Sequence, residues 1–197
     1  MSAVSGAERP SAVAYIAESE VTMISKKIVD RINLQINREM YSAYLYMAMS
    51  AKMTNEGYTG IANWLLVQYH EEMFHAMKLF GYLQDQGASP KLDKIDAPEL
   101  KDSTVKELFQ HVLEHEQWVT ASIRELLELA IAEKDYATEN LVRWYVNEQV
   151  EEEKHANELL QTLDLLGDGK QGVFMLNIEL GKRSATIPLD FTKLGGA

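Results

Sequence analysis

Between residues 26 and 166 apolar side chains return every three to four positions, the spacing that places them on one side of an α-helix. Ile28, Ile32, Ile36, Ala43 and Tyr46 mark a helix predicted over 26–55, N-capped by Ser25 and stopped at the turn Asn55-Glu56-Gly57. Ile61, Leu65, Tyr69, Ala76, Leu79 and Leu83 mark a second over 59–86, closed by Gly87. Ser103 or Thr104 caps a third that runs to about 133 on Val112, Val119 and Ile123. After a break at Lys134-Asp135, Leu141, Tyr145, Ala156, Leu159 and Leu163 carry a fourth over 137–166, ended by Gly167-Asp168-Gly169. A short apolar piece, Val173 to Gly181, predicts a fifth helix, and no alternating strand pattern competes with any of these. Residues 1–23 read as a flexible extension and 183–197 as a tail, leaving 24–182 as one all-α domain.

Connection lengths give the topology. Helices one and two, and again three and four, are joined by a few residues, so each pair is an antiparallel hairpin. The segment 87–103 is long, with Pro90 and Pro98. A 28-residue helix is ~42 Å long, and 17 extended residues reach ~56 Å. That is enough to return along the whole bundle, so the expected fold is a four-helix bundle with one long crossover between helices two and three.

Composition narrows the partners. The chain has 197 residues, no cysteine and a formal charge of −11, from 30 acidic and 19 basic side chains. Disulfides, thiolate zinc sites and cysteine-held iron–sulfur clusters are excluded, and a reducing, cytoplasmic setting is expected. Nucleic acid is disfavoured and small cations are favoured. No run of about 18 apolar residues predicts a membrane span, and no basic start followed by an apolar run predicts a secretory leader.

The chemistry lies where the stripes are interrupted. Glu72 and His75 leave the buried face of the second helix one turn apart. Glu39 interrupts the first stripe, Glu116 the third, and Gln149, Glu152 and His155 the fourth. Each lies near the middle of its helix, and in a bundle of equal-length helices equal depth means convergence. Taken singly these residues are ordinary: a lone Glu is usually solvated, a core histidine usually hydrogen-bonded, and Glu151-Glu152-Glu153 usually a wet face. His70-Glu71-Glu72-Met73-Phe74 also lacks the second histidine of a zinc-protease motif. In conjunction, four glutamates on four helices with Glu-x-x-His on two of them predict a metal centre. Carboxylates with imidazole suit iron or manganese rather than copper.

The runs Asn37–Tyr46, Glu71–Ala76, His115-Glu116 and Trp144–Lys154 resemble the prokaryotic non-haem ferritins, over about residues 24–182. The resemblance implies an iron-storage subunit of a 24-subunit homo-oligomeric cage, oxidising Fe(II) with O₂ or H₂O₂ at a di-iron centre. It implies that Glu39, Glu72 and His75 hold the first iron, and that Glu72, Glu116 and Glu152 hold the second with Gln149 beside it. Glu71, Glu148 and Glu151 resemble a third, inner site, and Tyr46 a tyrosine able to lend an electron. His155 departs from the non-haem pattern toward bacterioferritin or rubrerythrin, and it suggests an extra ligand to the second iron. Haem is not expected, although Met73 is present.

Two other functions fit parts of the chain. A peroxide-reducing di-iron oxidoreductase resembling rubrerythrin is favoured by His155 and disfavoured by the lack of a cysteine-ligated iron domain. A cage subunit with a dead site is disfavoured by the complete ligand set. Leu34, Tyr41 and Leu45 on the first helix and Trp64 and Phe80 on the second are surplus apolar positions expected at subunit contacts. Glu133, Asp135 and Glu139 are candidate pore acids, with Val142 standing where the resemblance expects another acid.

Overall fold

A computed structural model describes residues 23–167 and 169–187, and among these every regular element is a helix. The order is α1 (Lys26–Asn55), α2 (Thr59–Asp85), α3 (Val105–Glu133), α4 (Tyr136–Leu166) and α5 (Lys170–Leu180). The four-helix bundle with a short fifth helix is therefore as the spacing predicts. Most of the 1–23 extension and of the 183–197 tail lies outside the described residues.

Local signals set the ends. Ser25 Oγ accepts the Ile28 amide at the start of α1. Thr104, rather than Ser103, caps α3 in a reciprocal box: its hydroxyl accepts from Glu107 N while the Glu107 carboxylate accepts from Thr104 N. Gly57 and Gly87 take positive φ at the ends of α1 and α2, and Lys134 adopts the left-handed conformation after α3. The fifth helix begins at Lys170, three residues ahead of its apolar stretch, because Gly169 in extended backbone precedes a polar first turn.

α1 packs along α2, and α3 along α4; α1 also meets α3, and α5 lies on α2 and α4. The 86–104 connection is pinned to α1 by two asparagines one turn apart. Asn33 Oδ1 accepts from Lys91 N at 2.8 Å, and Asn37 Nδ2 donates to the carbonyls of Asp93 and Lys94. At the other pole Asn177 of α5 serves as the missing cap of α2, its Oδ1 accepting the amides of Gly60 and Ile61 at 2.8 and 3.1 Å. A side chain at Gly60 would place its Cβ 1.7 Å from the Asn177 carbonyl oxygen, so only glycine lets α5 approach this closely.

The core is divided. One apolar cluster gathers Met49, Met53, Ile61, Leu65, Phe109 and Leu163 near α5, and another gathers Ile28, Ile32, Leu79, Leu83, Ile123 and Leu126 at the crossover pole. Between them lies a layer of buried polar side chains that includes Gln35, Glu39, Gln68, Glu72, His75, Glu116, Gln149 and Glu152. Each fully buried Leu or Ile contributes about 1.5–3 kcal/mol. Two such halves stabilise a layer that would be unfavourable by itself. Leu45 and Trp64, expected as surplus surface positions, belong to the first of these clusters instead. Their stripes are wider than the residues counted in sequence. The large exposed apolar side chains of α1 are Leu34, Tyr44 and Met47.

Candidate metal centre

Glu39, Glu72 and His75 each offer a ligand atom within 4.8 Å of the others, and all three are buried. Their depth follows from the register of α1 and α2: Glu72 and His75 are one turn apart on the face that meets Glu39. Three atoms in this group have no hydrogen-bond partner, namely Glu39 Oε2, Glu72 Oε2 and His75 Nδ1. His75 Nδ1 and Glu72 Oε2 lie 3.5 Å apart, too far to satisfy one another. Buried polar atoms are nearly always paired, so three unpartnered ligand atoms on one compact buried group fit a cation. Hard oxygens with one imidazole nitrogen suit iron or manganese.

Glu116 and Glu152 complete the layer from α3 and α4 but are held by hydrogen bonds. Glu116 Oε1 accepts from the Tyr46 hydroxyl and Oε2 from Gln149 Nε2 at 3.1 Å. Glu152 Oε2 accepts from Gln68 Nε2 at 2.8 Å. Glu39 Oε1 likewise accepts from Gln35 Nε2, one turn earlier on α1. The pKa values register this crowding. Burial, then the charges of Glu116, Glu39 and Glu152, raises Glu72 well above the carboxylate range. Burial raises Glu39 to about 7, with the Gln35 hydrogen bond opposing it. Burial also raises Glu116, against the bonds from Tyr46 and Gln149, and raises Glu152 with help from the charge of Glu116. His75 is lowered to about 4 by burial and then by Lys78, so its imidazole is neutral and available as a ligand. A cation among these groups would favour the ionised carboxylates and the neutral imidazole together.

Below this layer is a cavity of about 340 Å³. Glu71, Glu148, Glu151 and His155 line it, together with Glu152 and His75 from the layer above. Glu151 is exposed, while Glu71, Glu148 and His155 are half-buried. Glu148 Oε2 lies 3.9 Å from His75 Nε2, and Glu71 is bonded to Arg183. Glu71, Glu148, Glu151 and His155 thus share one cavity, but no three of them join the close-packed ligand group.

Several residues at the centre escape a sequence reading. Tyr145 donates its hydroxyl to the His75 carbonyl at 2.7 Å, fixing the backbone beneath that imidazole. Ser122 donates to Gln35 Oε1 and itself receives Arg31 and Arg38, which turns the Gln35 amide nitrogen toward Glu39. Gln35 and Gln68 each precede a candidate glutamate by four residues, and that spacing is the one cue the sequence offers. The candidate pore acids are all engaged. Glu133 pairs with Lys27, Asp135 caps α4 through Thr138, and Glu139 pairs with Arg143.

A four-helix bundle with a buried layer of glutamates and one buried imidazole defines a carboxylate-type cation centre. The model of the ferritin-like domain matches residues 29–166. A probable bacterial non-heme ferritin-like protein of Haemophilus influenzae is 40% identical over 82% of this chain and 98% of its own. A bacterial non-heme ferritin of Staphylococcus aureus is 37% identical with the same coverage. An open-pore ferritin from the hyperthermophilic archaeon Archaeoglobus fulgidus superposes with a TM-score of 0.80 at 43% identity, covering 82% of this chain and 98% of that one. An engineered closed form of the same archaeal ferritin gives 0.81 at 43% identity. The chain belongs to the ferritin family.

Proposed function

We propose that this chain is an iron-storage ferritin subunit and a ferroxidase. In this reading Fe(II) is the substrate, and Glu39, Glu72 and His75 receive one ion. Glu72, Glu116 and Glu152 receive a second, with Gln149 beside it. The observation that carries the reading is the set of three orphaned ligand atoms on Glu39, Glu72 and His75. Net turnover takes four electrons from four Fe(II) ions and, with four protons, converts one O₂ to two waters. Tyr46, bonded to Glu116, is placed to lend an electron and recover it. Glu71, Glu148 and Glu151 line the route by which Fe(III) leaves for a mineral held inside a 24-subunit cage. The cysteine-free chain fits a cytoplasmic location.

Fe(II) added in air tests this directly. Ferric absorbance is expected to rise within seconds in the wild type and at least ten-fold more slowly in Glu72→Ala and His75→Ala. Variants matching the wild type would sink the ferroxidase reading, and a light-scattering mass far below that of 24 subunits would sink the cage. A second reading, peroxide reduction, is favoured by His155, which lines the cavity beside Glu152. Turnover faster with H₂O₂ than with O₂, and lost in His155→Leu, would select it.

A further inference from the structure

Arg183 follows α5 by three residues and lies across one face of α2. Its carbonyl accepts Asn63 Nδ2 at 2.8 Å, and its guanidinium stands 5.0 Å over the Trp64 ring. Further along α2, Nη1 donates to Gln68 Oε1 at 2.5 Å and Nη2 donates to Glu71 Oε2 at 2.6 Å. Asn63, Trp64, Gln68 and Glu71 follow one another at helical spacing, so the side chain is gripped from backbone to tip. The docking of α5 by Gly60 and Asn177 delivers it there.

Two consequences follow from donor chemistry. A guanidinium only donates, so Gln68 must present its carbonyl oxygen to Arg183, which turns its amide nitrogen toward Glu152. The Gln68 Nε2 bond to Glu152 Oε2 is that result. The same guanidinium also occupies Glu71, a wall of the acidic cavity, as a resident positive charge. Residues 183, 184, 186 and 187 line that cavity too, so the segment after α5 forms part of its wall.

We propose that Arg183 is a positioning residue that orients Glu152 through Gln68 and holds Glu71 away from cations, so that a metal ion reaching the inner cavity must displace it. The proposal rests on the di-cation reading of the layer above. Arg183 keeps the inner cavity a weak, transient cation site while Glu39, Glu72 and His75 remain a strong one. A planar fork bridging two acceptors is required, and lysine cannot supply it.

Co(II) titration followed calorimetrically and by visible absorption, on the full-length assembled protein, is the test. In wild type a tight class is expected from the layer above, one ion on Glu39, Glu72 and His75 and one on Glu72, Glu116 and Glu152, with a class at least ten-fold weaker from the cavity. Arg183→Gln is expected to tighten the weak class at least ten-fold and to weaken only the tight ion held with Glu152, leaving the one on Glu39, Glu72 and His75 unchanged. Glu71→Gln is expected to do little in wild type yet to cancel the gain in Arg183→Gln, a coupling that a purely structural role would not produce. Arg183→Lys, which preserves charge and stem, guards against a variant that fails to fold and should tighten the weak class in smaller measure. An Arg183→Gln or Arg183→Lys isotherm identical to wild type overturns the proposal, and so does additivity with Glu71→Gln. Absence of the tight class in wild type instead overturns the reading of the main centre.

Discussion

Glu39 has one carboxylate oxygen bonded to Gln35 and the other bonded to nothing, and burial raises its pKa from 4.5 to about 7. The consequence for stability has a definite sign. Between those values the folded, metal-free protein retains a proton that the unfolded chain has lost. The stabilisation is complete below about pH 4.5 and disappears as pH rises through about 7. His75 and His115 act oppositely, because both are lowered from 6.5 to about 4 by burial. They weaken the fold as pH falls from 6.5 toward 4, where only the unfolded chain accepts their protons. Glu39→Gln should therefore stabilise the metal-free protein at pH 8 by on the order of 2 kcal/mol. It should also flatten the decline of the melting temperature between pH 5 and 8, measured by thermal unfolding in chelator. A variant with an unchanged slope would show that Glu39 is not the group responsible.

α5 depends on a few atoms at the start of α2. Gly60→Ala forces a methyl against the Asn177 carbonyl, and a loss of at least about 2 kcal/mol is expected, with α5 exchanging its amide hydrogens early. Asn177→Ala removes the shared acceptor of Gly60 N and Ile61 N and should cost about 1 kcal/mol, the usual worth of a cap, read by denaturant unfolding. The long helices and their pairing were legible from apolar spacing because each buries a stripe against its neighbours. The convergence of Glu39, Glu72, His75, Glu116 and Glu152 was legible because equal helices share a midpoint. What spacing does not encode is contact between polar side chains on different helices. Gln68 is followed four residues later by Glu72 yet bonds Glu152 across the bundle, and Arg183 falls where a featureless tail was expected. Leu45 and Trp64 were misplaced for a related reason. A helix flanked on two sides buries a face wider than one stripe.

At the scale of the whole molecule, the core is split by a layer of crowded carboxyl groups, so ligation and stability are coupled. Saturating the centre at about 100 times its dissociation constant adds ~2.7 kcal/mol, which for a domain of this size raises the melting temperature by roughly 5–10 °C. Differential scanning calorimetry with and without Mn(II) checks this, and His75→Ala should abolish most of the rise. On the outside, Met40, Tyr44, Met47, Tyr69 and Met73 frame an almost wholly apolar hollow of about 320 Å³. Met47, 40% exposed, leaves it open on the surface, and in the cage reading a neighbouring subunit would cover it. Met47→Glu should shift the assembly toward smaller species in light scattering while leaving helix content intact.

The two ends of the described chain leave the subunit in different surroundings. Met23 is tied by its amide to the Gln86 carbonyl, so whatever precedes it starts at the pole farthest from α5. Thr186 and Ile187, by contrast, border the acidic cavity alongside Glu71 and Glu148. A short tag inserted at Met23 would therefore stand at the pole away from the acidic cavity, whereas the same insertion after Ile187 would begin at its rim.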